Sequence, residues 1–178
     1  MASLPFIIFS LLFLFSLVTP STAKLTEDEI KVICLQTRDP PFCFRTLESD
    51  PRVDMSNIQT LARTMINKAH NYARKTYNEI DSIIEITGDR SVREKYQLCA
   101  EMYKEAMAEI GGAKQNLASG YYQKVRLEAV GAKLRARTCG ETLEKTSKTI
   151  TPIRDNNRDF RNLCNIVWSI SNRLIMGD

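Results

Sequence analysis

The sequence predicts an all-α protein: an up-down-up-down four-helix bundle with an N-terminal helical hairpin and two disulfides. Apolar residues recur at alternating gaps of three and four along four long segments, the pattern of amphipathic helices packed in a bundle. Only 7 glycines and 6 prolines punctuate 178 residues, so these segments run on without interruption. Four of the five cysteines fall into two pairs, each centred on a break between helical segments. Strand patterns are weak throughout.

The first 23 residues stand apart. Leu4 to Val18 is almost wholly apolar, and Pro20, Ser21, Thr22 and Ala23 follow. A short apolar run, a helix-breaking proline and small residues at −3 and −1 are the marks of a cleaved signal peptide, with the mature chain starting at Lys24. The run is shorter than the roughly 20 residues a spanning helix needs. No second long apolar run follows, so no membrane association is expected after cleavage.

Thr26 and Glu29 form a capping box that opens a short helix. Asp39-Pro40-Pro41 cannot continue a helix, which places the stop near Arg38. A second short helix covers Phe42 to Leu47 and ends at Ser49-Asp50-Pro51, closing a hairpin over residues 24–52. The bundle then fills 53–178. Its first helix opens with Ser56 as cap and Gln59 three residues on. It runs along Ile58, Leu61, Met65, Ala69, Tyr72, Thr76, Ile80 and Ile83 and is ended by Gly88. The second opens with Ser91 and Glu94 and follows Val92, Tyr96, Cys99, Tyr103, Ala106, Ile110, Ala113 and Leu117. Gly111-Gly112, inside this pattern, marks close packing. A turn at Ser119-Gly120 leads to Tyr122, Val125, Ala129, Ala132, Ala136, Cys139 and Leu143, small residues that let a neighbour approach closely. Thr149 to Asn157, with Pro152, breaks the pattern. Phe160, Leu163, Val167, Ile170 and Leu174 form the last seam. Short turns between four long helices give up-down-up-down topology.

Antiparallel helices joined by a tight turn bring together residues equidistant from it. Cys99 and Cys139 are centred on Ser119, and both lie on apolar seams. Cys34 and Cys43 are centred on the Arg38-Asp39-Pro40 bend. Both pairs should be bridged, adding about 3 kcal/mol for the short loop and about 4 for the long one. Cys164 is left over, beside Leu163. It reads as a buried free thiol acting as a small hydrophobe, with a reactive or intermolecular thiol as the alternative.

The net charge of +4 lies entirely in residues 24–178 and is spread out, too mild and too dispersed for a nucleic-acid binder. A mildly basic surface suits an acidic surrounding. No catalytic constellation emerges. The single histidine, His70, sits beside a seam with no activated nucleophile near it in sequence. No phosphate loop and no metal-spaced His/Cys set is present, so no cofactor and no metal are expected. Tyr72, Tyr96, Tyr103 and Trp168 fall at helical spacing, as core or boundary residues do.

The stretch Ile33-Cys34-Leu35-Gln36-Thr37-Arg38-Asp39-Pro40-Pro41-Phe42-Cys43, with Leu47 and Ser49-Asp50-Pro51-Arg52, resembles the N-terminal hairpin of the plant invertase and pectin methylesterase inhibitor family. Leu98-Cys99-Ala100-Glu101-Met102-Tyr103-Lys104-Glu105-Ala106 is similar to that family's Cys-x-x-x-Tyr-x-x-Ala helix. Ala129 to Thr138-Cys139 is similar to its segment ending in Thr-Cys. The resemblance spans residues 24–178. It implies two sequential disulfides, secretion to the apoplast and cell wall or delivery to the vacuole, and no enzymatic activity. It further implies a stand-alone inhibitor domain that binds a target enzyme, pectin methylesterase or acid invertase. Two departures bear on the target. Val130-Gly131-Ala132-Lys133-Leu134-Arg135-Ala136-Arg137 is basic where the family is polar or acidic. Tyr122-Gln123-Lys124 stands where invertase-directed members carry Pro-Lys-Phe. Pectin methylesterase is the favoured target, with acid invertase as the alternative; a non-inhibitory apoplastic bundle or a carrier of a small apolar ligand are the other classes.

Eight residues are candidates for the partner interface. Glu101, Glu105 and Glu109 recur at i, i+4 and i+8 on one face of the second long helix. Arg126, Lys133 and Arg137 form a basic stripe on the third. Tyr121 and Tyr122 at the turn are aromatic anchors of the type enriched at hot spots. Opposed charge stripes of this kind set orientation and association rate.

Overall fold

The computed structural model describes residues 24–51, 53–144 and 151–177. The expected signal peptide lies outside them. Six helices follow in order: α1 (Glu27–Leu35), α2 (Pro40–Glu48), α3 (Ile58–Ile86), α4 (Arg90–Ala118), α5 (Tyr122–Glu144) and α6 (Thr151–Met176). Each of α3 to α6 packs on two neighbours in a ring, α3 on α4, α4 on α5, α5 on α6 and α6 on α3, while α1 and α2 lean on α6. No helix among the described residues is long and apolar enough to cross a membrane.

The seams read from the sequence line the core, with Ile58, Tyr72, Ile83, Val92 and Tyr122 only partly buried at its edge. Tyr96, Cys99, Tyr103, Ala106, Ile110, Ala113 and Leu117 of α4 are buried, as are Val125, Ala129, Ala132, Ala136, Cys139 and Leu143 of α5. Phe160, Leu163, Val167, Ile170 and Leu174 of α6 are buried too. Tyr103 meets Phe160 across the centre, with ring centroids 5.7 Å apart. Ala62, Ile66 and Ala73 widen the α3 seam beyond the single line expected.

The helix ends differ from expectation in four places. Asn57, not Ser56, caps α3, its side chain accepting from Thr60 N. Asp89, not Ser91, caps α4, accepting from Val92 N. Where several cap-capable residues stand close together, the one in extended backbone conformation takes the role. Gly88 follows the end of α3 without the left-handed conformation of a glycine cap. There the Thr87 carbonyl instead accepts from Arg93 Nε and Nη2, at 2.9 and 2.6 Å. Finally, α6 begins at Thr151, so residues 151–157 are helical where a break was expected. Pro152 sits in the first turn, where its missing N–H costs nothing. Asn157 is buried and donates to the Ala136 carbonyl at 2.9 Å.

The capping box of α1 is formed, with Glu29 accepting from Thr26 N at 2.7 Å. The helix stops at Leu35, where Thr37 Oγ1 donates to the Cys34 carbonyl at 2.7 Å. Cys34 and Cys43 are bridged, with Cα atoms 5.3 Å apart. Polar contacts fix the hairpin to the bundle. Ser169 Oγ of α6 donates to the Ile33 carbonyl at 2.7 Å, and Asn162 Nδ2 donates to Asp39 Oδ2 at 3.1 Å. On the other side Lys68 of α3 pairs with Asp50 at 2.6 Å.

Candidate protein-docking site

Cys99 and Cys139 are bridged with Cα atoms 4.6 Å apart, which staples α4 to α5 at the far end from their turn. At the turn, Gly120 takes φ +74°, a left-handed conformation that glycine adopts without penalty. The pair is thus held at both ends. A surface so fixed loses little entropy on docking.

The outer face of α5 is apolar. At 100° per residue the buried seam leaves Leu127, Val130 and Leu134 pointing away from the core, and they are 63%, 39% and 55% exposed. These three were not among the sequence candidates. Their spacing of i, i+3 and i+7, out of phase with the seam, is the signal that could have found them.

The basic candidates flank this stripe. Lys133 leans toward α6, donating from Nζ to Asn165 Oδ1 at 3.1 Å. Its ammonium is held below the usual lysine value by burial first, then by the charges of Arg38 and Arg161. Arg137 is exposed and pairs with Glu141 one turn on. Arg126 makes no ion pair with a described residue.

The acidic candidates remain on α4, but each has a cationic partner. Glu101 pairs with Lys104 at 2.7 Å. Arg135 of α5 bridges to Glu105 at 2.9 Å and to Glu109 at 3.7 Å. Two of the three carboxylates therefore knit α4 to α5. The glycines explain how. The Glu109 carboxylate lies over Gly131, and the Glu128 carboxylate of α5 lies over Gly112 of α4, each where a Cβ would stand. Gly111 has open space instead, so the expectation of close packing at this pair holds only for Gly112, and there against a side chain. Glu128 accepts from Asn116 Nδ2 at 3.3 Å. Its carboxyl is raised above the ordinary value by burial, then by the Glu109 charge, with Lys124 opposing.

Tyr121 is 58% exposed, with the Lys124 ammonium 5.0 Å from its ring centre. Tyr122 is half-buried, and its hydroxyl accepts from Gln59 Nε2 at 2.7 Å. With Leu174 and Ile175 they border a cavity of about 400 Å³ at this end of the bundle. The two tyrosines therefore have distinct situations: Tyr121 is presented to solvent, whereas Tyr122 ties α5 to α3.

Groups capable of catalysis are elsewhere and separated. His70 is half-buried on α3, its imidazole held low by burial and by Arg74 and Lys114. Cys164 is fully buried in α6, its thiol pushed up by burial. Tyr96 and Tyr103 are core residues, and Tyr72 and Trp168 pack at its edge.

The chain matches the plant invertase/pectin methylesterase inhibitor family over residues 28–170. A pectinesterase inhibitor of Actinidia deliciosa is 32% identical over 92% of this chain and 89% of its own length. A putative invertase inhibitor of Platanus acerifolia is 23% identical over 92% of this chain and 94% of its own. Among solved structures, a mutant form of a pectin methylesterase inhibitor from Arabidopsis superposes with a TM-score of 0.76 at 28% identity. That match covers 81% of this chain and 95% of the other. The family model over most of the chain and the relative at 32% identity agree, and the chain belongs to the plant invertase/pectin methylesterase inhibitor family, whose members inhibit enzymes.

Proposed function

We propose that this protein is a secreted inhibitor of pectin methylesterase. It binds one enzyme molecule through the outer faces of α4 and α5 and covers the active-site cleft. The observation that carries the docking surface is the exposed Leu127, Val130 and Leu134 stripe on a helix stapled to its neighbour. Apolar side chains at the centre of a rigid face, with charge at its edge, are what a tight protein interface is built from. Arg126, Lys133 and Arg137 form that charged edge, Glu101, Glu105 and Glu109 the opposite one, and Tyr121 an anchor at its end. The 32% identity to a pectinesterase inhibitor supports the choice of target. The weaker likeness to a putative invertase inhibitor keeps acid invertase as the second reading. The apolar leader followed by Ser21-Thr22-Ala23 supports secretion to the apoplast, with residues 24–178 as the mature domain.

Titration of the oxidised mature protein against a panel of pectin methylesterases and acid invertases at wall pH tests both readings. Inhibition of a methylesterase at 1:1 stoichiometry is expected. Inhibition of invertase alone would reverse the choice of target, and inhibition of neither at micromolar concentration would remove the inhibitor assignment. Intact mass of the secreted product should give an N-terminus at Lys24.

A further inference from the structure

A groove of about 410 Å³ is lined by residues of α5 and α6 and by Arg38 and Asp39 of the hairpin bend. Five cations line it: Arg38 from the bend, Lys133 and Arg137 from α5, and Arg158 and Arg161 from α6. One carboxylate is among the lining residues, that of Asp39. It is already committed, accepting from Phe42 N and from Asn162 Nδ2. Arg137 and Arg158 have acidic neighbours on their own helices, but Arg38 and Arg161 pair with no carboxylate among the described residues. Burial is the first cause of the lowered Lys133 ammonium, and the charges of Arg38 and Arg161 beside it add to that effect. Such crowding costs the isolated protein free energy and is relieved when an anion enters.

We propose that this groove binds an acidic oligosaccharide of the uronate class through its carboxylates. The sequence spacing favours a linear polyanion over a single anion. Lys133 and Arg137 are one helical turn apart on α5, and Arg158 and Arg161 about one turn apart on the antiparallel α6, so the cations recur along the groove. Guanidinium groups grip carboxylates through two parallel hydrogen bonds. Asn162, whose Nδ2 is held by Asp39, keeps its amide oxygen for a sugar hydroxyl, and Val130 and Leu134 offer an apolar edge to ring carbons. The volume suits sugar rings and is too small for a folded protein element. The choice of a uronate rests on the reading of the target: hydrolysis of pectin methyl esters leaves carboxylates, so the groove would hold the free inhibitor where its target has acted, and because Val130, Lys133, Leu134 and Arg137 also belong to the docking face, uronide and enzyme would compete for them.

The test is calorimetric titration of the full mature protein with hexagalacturonate, with its fully methyl-esterified form, and with a short polyglutamate. Saturable binding of the hexagalacturonate is expected. The methyl ester should bind ~10-fold or more weakly, and so should the acid to the R38Q/R161Q double variant. A K114Q variant, with one charge removed elsewhere on the surface, should bind as wild type. Equal binding of ester and acid, unchanged binding by R38Q/R161Q, or no binding of the acid would each overturn the proposal. Tighter binding of polyglutamate would overturn the sugar in favour of an acidic peptide. Circular dichroism of R38Q/R161Q guards against unfolding, and if that variant unfolds, R161K and R38K separately should each lower affinity while keeping the fold. Inhibition of pectin methylesterase is measured in parallel without added uronide. A wild-type protein that binds the uronide but inhibits no methylesterase retains the groove and loses the target reading, so the two failures are distinguishable.

Discussion

The carboxylate of Glu109 on α4 lies over the bare Cα of Gly131 on α5, and Glu128 returns the arrangement over Gly112. Residues 109 and 131, and 112 and 128, are equidistant from the turn at Gly120, so the helix pair carries the same device twice. A Cβ at Gly112 would fall 2.7 Å from Glu128 Oε1, and one at Gly131 would collide with Glu109. In both cases the obstacle is the end of a flexible side chain, not a backbone.

Gly131→Ala should therefore fold, with Glu109 swung out to solvent and its contact with Arg135 lost. The alanine gains up to about 1 kcal/mol in helix propensity, and the displaced surface pair takes back about 0.2–1 kcal/mol. Gly111→Ala, with nothing within 4 Å of its Cβ, should show the full gain of about 1 kcal/mol. Urea denaturation separates them. A loss above about 2 kcal/mol in Gly131→Ala would mean that the helix backbones, and not the carboxylate, set the spacing.

The Glu128 carboxyl has a pH signature. Its folded value is raised above the ordinary 4.5, by burial first and by Glu109 second. A raised acid favours the protonated form in the folded state. Its contribution is fully present below the unfolded value and is lost as pH rises through the folded one. Glu128→Gln should thus match wild type in acid and exceed it above that window. The carboxyl is largely solvated, so the gain is about 0.5 kcal/mol or less. Urea midpoints at about pH 3.5 and about pH 7.5 read the difference. A loss of stability at the higher pH would show that attraction to Lys124 outweighs both causes of the rise.

Seam residues and cysteine pairs were legible because each follows from periodicity about a turn. Cys99 and Cys139 needed only a common centre and two apolar faces. Caps were less legible, since Ser56 and Asn57, or Asp89 and Ser91, differ only in which one the chain holds extended. Pro152 reads equally well as a breaker or as a first-turn residue. The cationic groove was not legible, because Arg38, Lys133 and Arg161 meet only once three helical elements are docked. The eight interface candidates came from helix-face arithmetic, which places a side chain on a surface but does not show that Glu105 and Glu109 share Arg135.

Tyr103, the tyrosine of the family-like Cys-x-x-x-Tyr segment, is a core residue whose buried hydroxyl has no well-formed hydrogen bond among the described residues. The nearby Thr76 hydroxyl donates to the Tyr72 carbonyl. Tyr103→Phe removes a polar group without a well-formed hydrogen bond and keeps the ring against Phe160. It should be neutral or stabilising by up to about 1 kcal/mol, whereas Tyr103→Ala should lose about 3–5 kcal/mol. Thermal melts of the two variants check this. A marked loss in Tyr103→Phe would reveal a hydrogen bond to a buried water.

Cys164 should resist alkylation in the native protein and react once it is unfolded, since it is fully buried and its thiol is pushed up. Non-reducing peptide mapping should give Cys34–Cys43 and Cys99–Cys139. Replacing both Cys99 and Cys139 by alanine should cost about 4 kcal/mol, from the entropy of the longer loop. Native labelling of Cys164 would show that α6 opens locally without global unfolding.

The docking face makes a kinetic prediction, because its apolar and charged parts act at different stages of association. Leu127 and Leu134 are exposed and lie outside the core, so the L127S/L134S double variant should keep its melting temperature within a few degrees. At the centre of an interface the same side chains are desolvated, and their loss accelerates dissociation. The expected weakening is ~10-fold or more in inhibition constant, nearly all of it in the off-rate. Arg126 and Arg137 lie at the edge, where charge guides encounter. Reversing both to glutamate should change the association rate and its salt dependence and leave dissociation nearly unaffected. The direction depends on the target: association slows for an acidic rim and quickens for a basic one. Surface-plasmon kinetics at two salt concentrations, against whichever enzyme is inhibited, separate the two effects. If L127S/L134S inhibits as wild type does, the enzyme does not dock on the outer face of α5.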